Sequence, residues 1–447
     1  MIAIAEGIEK TPLESWIAGR LGTPLRELTR HDIEQYQLKA LQQTVAWARK
    51  HSSFYAHRFA KIPNDLPRSL GEISRFSFTS SEDIARHTSE FLCVSQDEIS
   101  RVVTLHTNGT SGAPKRLFFT EADRESAQDF FAQGVAAMAV QGDRMLIALP
   151  GEREGSVGNQ LTKGIARAGI IPILNGFSTD PAQTLARMEQ EKATCIIGLP
   201  VQMLALFSSN NACTSSVLRQ LRFIVLCSDH VPESLVRRLW QRTGCEIFEH
   251  YGMTEMGLGG GVDCAAHMGY HLREADLYFE IVDPESGEPL PDGETGEIVF
   301  TTLHRTAMPL IRYRTGDLSR FLPGPCGCGT ILKRLDKVRD RIDNFVSLGN
   351  SGSISISVLD EALFDIPGLL DFTATLTQSR PQHLEITTYA PGINSAQMAA
   401  KVRDALRTLP IICHACNSGE LELNVISAQK PLSVTGAKRK IEVKAES

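Results

Sequence analysis

Short apolar runs alternate with amphipathic segments between about residue 140 and residue 250. The pattern predicts buried strands at Arg144–Pro150, Ile170–Leu174, Thr194–Leu199 and Arg222–Cys227. The segments Pro181–Lys192 and Pro232–Thr243 repeat apolar residues at helical spacing and predict helices. Because strands that alternate with helices form parallel sheets with crossover connections, we expect an α/β fold. Ligands on such sheets bind beyond the carboxyl ends of the strands.

The two ends of the chain differ from this middle region. Residues 10–60 repeat apolar positions at helical spacing and predict a helical cap over about residues 1–60. Beyond residue 343 we expect a helix, two strands, a helix and a strand, typical of a split βαβ unit. These elements are Ser357–Phe364, Asp371–Gln378, His383–Tyr389, Ser395–Leu409 and Glu420–Ile426. We therefore predict a large N-terminal domain of mixed and parallel sheets, residues 1–342, and a small mobile α+β domain, residues 343–447.

Composition limits the kinds of partner. The 447 residues are 42% hydrophobic and 22% charged, as in ordinary globular proteins, and the net charge is −6. This charge argues against nucleic acid or an anionic membrane as the main partner. No apolar run reaches the roughly 18 residues of a membrane helix. Ten cysteines without a signal-peptide pattern favour a reducing compartment, so we expect a cytoplasmic protein.

A loop rich in glycine and hydroxyl residues follows a short predicted strand at Val102–Leu105. It contains Thr107, Gly109, Thr110, Ser111 and Gly112, with Lys115 close behind. Glycines allow backbone N–H groups to point into one concavity, where hydroxyl groups and a lysine can bind phosphate oxygens. The same residue types also favour an ordinary surface turn.

Two further motifs place oxygen ligands beside glycine. Residues 249–255, Glu-His-Tyr-Gly-Met-Thr-Glu, offer a hydroxyl and a carboxylate that suit a phosphate and its magnesium ion. Residues 311–317 place Asp317 just beyond a predicted strand, where it can accept hydrogen bonds from both hydroxyls of a ribose. The alternatives are a strand-end turn for the first motif and a turn-capping aspartate for the second.

Three cysteines and a histidine form a candidate metal set. Cys264, His271, Cys326 and Cys328 offer three sulfurs and one imidazole, which suit a structural zinc ion. His267 is a competing ligand at Cys-x-x-His spacing. The alternative is a set of unrelated buried thiols, because free cysteine is often part of a core.

The order of these motifs resembles that of the adenylate-forming superfamily, which includes the acyl-CoA synthetases. The resemblance covers about residues 30–445. The Cys-x-Cys-Gly motif at residues 326–329 resembles a feature of the phenylacetate-CoA ligase branch of this superfamily. It implies that ATP and magnesium convert a carboxylic acid to an acyl-adenylate and pyrophosphate. Coenzyme A then gives a thioester and AMP. By the same analogy, the acid would be aryl or arylacetic and the protein a possible homodimer.

The resemblance also implies residue roles. The glycine-rich loop and Lys115 would bind the β- and γ-phosphates, Thr254 the α-phosphate and Glu255 the magnesium. Tyr251 and Gly252 would flank the nucleotide, and Tyr251 would also flank the acyl carboxylate. Ser228 and Asp229 would form part of the adenine wall, and Asp317 and Arg341 would bind the ribose. Asp343 would be the hinge and Lys438 the adenylation lysine. Residues Glu152–Gly158 and Gly257–Gly261 would line the acid pocket.

The chain departs from the family pattern at two places. Asp340 and Asn344 stand where the family has glycine and a second acid, which leaves Arg334 and Asp336 as an inferior second choice for the hinge. The terminal Gly-Lys pair is replaced by Gly-Ala-Lys at residues 436–438, with Lys440 as the fallback lysine. Two alternatives therefore stay open: an adenylating enzyme with a non-CoA acceptor, and a catalytically impaired nucleotide-binding protein.

Overall fold

The computed structural model describes residues 10–63, 65–105, 114–178, 180–208, 215–432 and 438–445. Thr107, Gly109, Thr110, Ser111 and Gly112 of the glycine-rich loop lie outside the described residues. The helices are α1 (Pro12–Leu21), α2 (Arg30–His51), α3 (Ser53–Arg58), α4 (Ser81–Arg86), α5 (Glu121–Val135), α6 (Val157–Arg167), α7 (Pro181–Gln190), α8 (Pro200–Ser208), α9 (Ser215–Gln220), α10 (Glu233–Thr243), α11 (Ile356–Leu363), α12 (Ser395–Arg407) and α13 (Pro410–Asn417).

The strands alternate with helices between α5 and α10, as predicted. They are β1 (Arg101–Leu105), β2 (Lys115–Phe119), β3 (Arg144–Ile147), β4 (Ile171–Leu174), β5 (Cys195–Gly198), β6 (Phe223–Leu226), β7 (Glu246–Tyr251), β8 (Gly261–Val262), β9 (Tyr270–Leu272), β10 (Leu277–Val282), β11 (Gly296–Thr302), β12 (Tyr313–Ser319), β13 (Arg334–Leu335), β14 (Asp340–Arg341), β15 (Val346–Ser347), β16 (Ser353–Ile354), β17 (Asp371–Gln378), β18 (Gln382–Tyr389), β19 (Leu421–Ser427) and β20 (Ile441–Ala445).

The chain folds as two compact units. The first comprises the described parts of residues 1–143, 150–174 and 248–338, and the second those of 144–149, 175–247 and 339–447. Residues 339–447 are therefore grouped with two earlier segments of the chain. The domain boundary expected near Asp343 stays a prediction.

The first unit contains three groups of antiparallel strands. β1 pairs with β2, and β10, β11 and β12 form a second group. In the third, β8 pairs with β7 and β9, and β9 pairs with β13. The aromatic core of this unit includes Tyr55, Phe59, Phe76, Phe91, Phe300 and Tyr313.

The second unit contains parallel strands, as predicted. β3 pairs with β5, and β5 with β6, in parallel register. All residues of β5 and β6 are buried, which explains their uninterrupted apolar runs. A four-stranded sheet in the order β19-β18-β17-β20 combines parallel and antiparallel pairs. The expected α/β class with parallel and mixed sheets is confirmed.

Candidate nucleotide-binding site

A tight turn after β7 positions Thr254 and Glu255. A Cβ atom on Gly252 would lie 2.2 Å from the backbone oxygen of Leu258, so only glycine permits this reversal of the chain. Gly257, with φ of +72°, ends the short helical turn Thr254–Met256 in the left-handed conformation that glycine favours. The turn buries Glu255 and leaves Thr254 half-buried.

Glu255 lies in a buried cluster with Lys115 and Tyr313. Lys115, the first residue of β2, donates from Nζ to Glu255 Oε1, and also to Ser81 Oγ at 3.0 Å. The Tyr313 hydroxyl donates to the same Glu255 oxygen at 3.1 Å. The Lys115 and Glu255 side chains are only 8% and 4% exposed. Residues from four distant segments of the chain therefore meet around one carboxylate.

The environment keeps Glu255 ionised. Burial alone would raise the pKa of Glu255, but Lys115 and then Tyr313 outweigh that effect and hold the pKa below its ordinary value. An ionised carboxylate is the type of oxygen ligand that magnesium prefers. The ionised carboxylate of Glu255 is therefore a ligand of the kind that suits magnesium, and its magnesium role stays a prediction.

Two buried arginines that no sequence motif indicates hold the backbone of this turn. Arg305 Nη1 donates to the Glu255 backbone oxygen at 2.6 Å. Arg273 Nη1 donates to the Gly259 backbone oxygen at 3.4 Å and Nε to Asp276 at 2.8 Å. Contacts with carbonyl oxygens leave no local spacing pattern that sequence inspection could have detected.

Tyr251, the last residue of β7, meets Asp317 of β12. The Tyr251 hydroxyl donates to Asp317 Oδ2 at 3.0 Å, and both residues are buried. The expectation that Asp317 follows a strand was wrong, because it lies within β12. Tyr313, Thr315 and Asp317 alternate with more exposed residues, so they share one buried face of that strand.

The other predicted nucleotide ligands belong to the second unit. Ser228 and Asp229 follow β6, and Ser228 has φ of +72°. Arg341 ends β14, Asp343 is exposed in the turn after it, and Lys438 precedes β20. The convergence of these residues with Glu255 and Asp317 stays a prediction.

Arg439, the neighbour of Lys438, anchors the start of β20 within the second unit. Its guanidinium donates to Asp360 Oδ1 at 3.0 Å and to Asp371 Oδ1 at 2.8 Å. It also stacks 5.1 Å and 4.6 Å from the ring centroids of Phe364 and Phe372. Burial and the nearby Asp371 raise the pKa of Asp360 to about 6, despite the opposing effect of Arg439. One guanidinium therefore serves two buried carboxyl groups.

Comparison with known proteins decides the family. A model described as "AMP-binding enzyme" matches residues 56–306. The phenylacetate-coenzyme A ligase of Pseudomonas putida is 30% identical over 342 residues, which cover 72% of this chain and 74% of that protein. The chain belongs to the AMP-binding enzyme family. The predicted membership in the adenylate-forming superfamily, on its phenylacetate-CoA ligase-like branch of AMP-forming acid–thiol ligases, is confirmed.

The chain is also similar to a second relative in sequence and to a solved CoA ligase in structure. A feruloyl-CoA synthase of Amycolatopsis sp is 27% identical over 286 residues, or 63% of this chain and 53% of that protein. The crystal structure of a 2-hydroxyisobutyryl-CoA ligase in complex with 2-HIB-AMP aligns with a TM-score of 0.77 at 19% identity. That alignment covers 94% of this chain and 90% of the other, and it shows a shared fold.

This AMP-binding enzyme also gathers the four predicted metal ligands. Cys264, His271, Cys326 and Cys328 are all buried, and their ligand atoms lie within 4.8 Å of one another. The Cys264 and Cys326 sulfurs are 3.8 Å apart, and His271 Nε2 is 3.2 Å from the Cys264 sulfur and 3.5 Å from that of Cys328. Tetrahedral zinc with Zn–S bonds of about 2.3 Å places its sulfurs about 3.8 Å apart. The set fits zinc.

The competing ligand His267 lies outside this set. Its Nδ1 is 2.7 Å from Asp263 Oδ2. His271 instead lies in β9, whose register places it opposite Arg334 of β13, and this pairing brings the Cys326–Cys328 loop to the histidine.

Among the described residues of this AMP-binding enzyme, no helix is both long enough and apolar enough to cross a membrane.

Proposed function

We propose that the protein is an ATP-dependent carboxylic acid–CoA ligase that forms AMP. In the first half-reaction, the acid carboxylate attacks the α-phosphorus of ATP, and pyrophosphate leaves as the acyl-adenylate forms. In the second, the thiol of coenzyme A attacks the acyl carbon, and AMP leaves as the thioester forms. The observation that carries the proposal is the buried cluster of Lys115, Glu255 and Tyr313.

The chemistry of this cluster suits phosphoryl substitution. Attack at phosphorus needs alignment and charge neutralisation more than a protein nucleophile. Lys115 offers a compact cation on a flexible stem, and Glu255 offers an ionised carboxylate for magnesium. Magnesium bound with ATP would supply positive charge to the phosphate oxygens. We propose that Lys115 then exchanges Glu255 for a phosphate oxygen, so each buried charge keeps a partner.

We assign the remaining roles by family membership. Tyr251 and Asp317 would hold the ribose end of the nucleotide, with Arg341 as a second ribose ligand. Thr254 would contact the α-phosphate, and Ser228 and Asp229 would line the adenine. Lys438 would neutralise the α-phosphate during adenylation, and Asp343 would be the hinge for the second half-reaction. The anchoring of Arg439 supports a fixed backbone position for Lys438.

An aryl or arylacetic acid is the proposed substrate. The named activities of the phenylacetate-CoA ligase and feruloyl-CoA synthase relatives support this class. Phe130 and Phe131 of α5 are buried with their ring centroids 6.0 Å from the imidazole of His250, and we propose that they form part of the apolar wall of the acid pocket.

A panel of carboxylic acids tests this function. Pyrophosphate release would be measured for each acid with ATP and magnesium, with and without coenzyme A, and the products would be separated. We expect acid-dependent pyrophosphate release and a CoA thioester from at least one aromatic acid. Adenylate formation without a thioester would instead favour a non-CoA acceptor, and no release with any acid would contradict adenylation.

We also propose that Cys264, His271, Cys326 and Cys328 hold a structural zinc ion. It would join the segment after Glu255 to the loop before β13. Metal analysis of the purified protein should find about one zinc per chain, and Cys328→Ser should lose it and unfold at a lower temperature. Cys413→Ser, on helix α13, is the matched control and should keep its zinc. A protein purified without chelators that carries no zinc contradicts the assignment.

A further inference from the structure

His250 carries a buried nitrogen that the proposed reaction does not use. The residue lies near the end of β7, directly before Tyr251, and its Nε2 has no hydrogen-bond partner among the described residues. Leaving a buried polar atom without a partner is unfavourable, because nothing replaces the water that the atom has lost. A ligand that hydrogen-bonds this atom would remove that cost.

The surroundings of this nitrogen combine two phenyl rings with the buried Arg273, whose guanidinium lies 5.0 Å from the ring centroid of Phe130. The rings of Phe130 and Phe131 lie with their centroids 6.0 Å from the imidazole. A Cβ atom on Gly259 would lie 2.2 Å from a ring carbon of Phe130 and 3.0 Å from His250 Nε2. Burial lowers the pKa of His250 to about 4, so the imidazole is neutral near pH 7. The nitrogen is thus a neutral polar group beside two phenyl rings.

His250 lies on the opposite face of β7 from Tyr251, a proposed ligand of the nucleotide. Successive side chains of a strand point to opposite faces, so His250 and Tyr251 face different sides of β7. Tyr251 contacts Asp317 on one side. On the other side His250 faces α5 and the loop 257–261, the predicted wall of the acid pocket.

We infer that His250 is a specificity residue, whose Nε2 hydrogen-bonds a hydroxyl on the aromatic ring of the acid. This inference rests on the proposed function and narrows its substrate class to hydroxylated aromatic acids. A hydroxyl both donates and accepts, so it suits either neutral tautomer of the imidazole. The rings of Phe130 and Phe131 suit the aromatic part of the same acid.

Matched pairs of acids test the inference. Phenylacetate and benzoate would each be compared with their three monohydroxy ring isomers, with kcat/KM for pyrophosphate release as the readout. Wild type should prefer one hydroxylated isomer over its parent acid by at least about 10-fold, since sites that hydrogen-bond a hydroxyl reject the analogue that lacks it. In His250→Leu this ratio should fall to about 1.

Two variants control for structure. His250→Asn keeps a hydrogen-bonding side chain and should retain part of the preference, even if His250→Leu folds poorly. His51→Leu, at an exposed histidine of α2, should leave the ratio unchanged. A preference below about 2-fold for every isomer in wild type, or an unchanged ratio in both His250 variants, overturns the inference and leaves the ligase proposal standing. Failure of every acid to release pyrophosphate overturns the ligase proposal itself.

Discussion

Each of the two units buries a cation against carboxyl groups, but the two clusters differ in how firmly the cation is held. In the first unit, Lys115 serves one carboxylate, that of Glu255, with help from two hydroxyl groups. In the second unit, Arg439 serves Asp360 and Asp371, and its guanidinium lies over two adjacent phenyl rings. A lysine ammonium can rotate from one oxygen to another, whereas a planar, stacked guanidinium loses several contacts at once. We therefore propose an exchangeable pair in the first unit and a structural anchor in the second.

Replacing the anchor should have the largest effect. Arg439→Met leaves two buried carboxyl groups without their cation, and we expect it to lower the free energy of unfolding by about 3–5 kcal/mol. Arg439→Lys should be intermediate, because it keeps the charge but loses the planar fork. Urea unfolding measures both.

Arg407→Met is the matched control for the anchor, at an exposed arginine of α12. It should change the free energy of unfolding by no more than about 0.5 kcal/mol, as most surface substitutions do. An Arg439→Met protein as stable as this control would contradict the anchor assignment.

Replacing the exchangeable cation should mainly affect catalysis. Lys115→Met removes the charge proposed to move onto the phosphates, so adenylation should fall by about 10²- to 10³-fold. Acid-dependent ATP–pyrophosphate exchange is the measurement. Lys39→Met, at an exposed position of α2, is the control and should catalyse ATP–pyrophosphate exchange at the wild-type rate. Retention of near-normal exchange in Lys115→Met would mean that the phosphates bind elsewhere.

The crowded carboxyl groups of the second unit should make stability depend on pH. The pKa of Asp360, raised to about 6 by burial, exceeds its ordinary value of 3.8, so the folded state binds the proton more tightly than the unfolded chain. The contribution of Asp360 to the free energy of unfolding should therefore fall by about 2–3 kcal/mol as the pH rises from about 4 to about 6.

Asp360→Asn removes this titration. Compared with wild type, the variant should show a smaller difference in unfolding free energy between pH 4 and pH 7. Asp229, whose pKa burial and Asp360 also raise to about 6, should contribute in the same direction. If the free energy of unfolding depends on pH in the same way in wild type and in Asp360→Asn, the raised pKa of Asp360 is contradicted.

The sequence predicted strands better than it predicted some helices. β3, β5 and β6 are buried on both faces, so their apolar runs are unmistakable. Helix α5 was missed because Arg124 and Gln128 are buried on it and interrupt its apolar stripe. Helix α6 was missed because it contains glycines. A Cβ on Gly164 would lie 2.6 Å from the backbone oxygen of Gln128, so close packing of the two helices requires that glycine.

The candidate site was predictable only where the chemistry follows a motif. Lys115, Glu255, Tyr251 and Asp317 were identified from short motifs, and the structure joins them in pairs. Arg305 and Arg439 act through contacts between segments far apart in the chain, which no local spacing reveals. His250 was visible within its motif, but its unpartnered nitrogen depends on the packing of Phe130 and Gly259.

The most direct test of the exchangeable pair is a crystal structure with magnesium and a non-hydrolysable ATP analogue. We predict that Lys115 Nζ will contact a phosphate oxygen, that Glu255 will ligate the magnesium, and that Asp317 will bind the ribose hydroxyls. A nucleotide bound elsewhere, with the contact between Lys115 and Glu255 intact, would contradict the account.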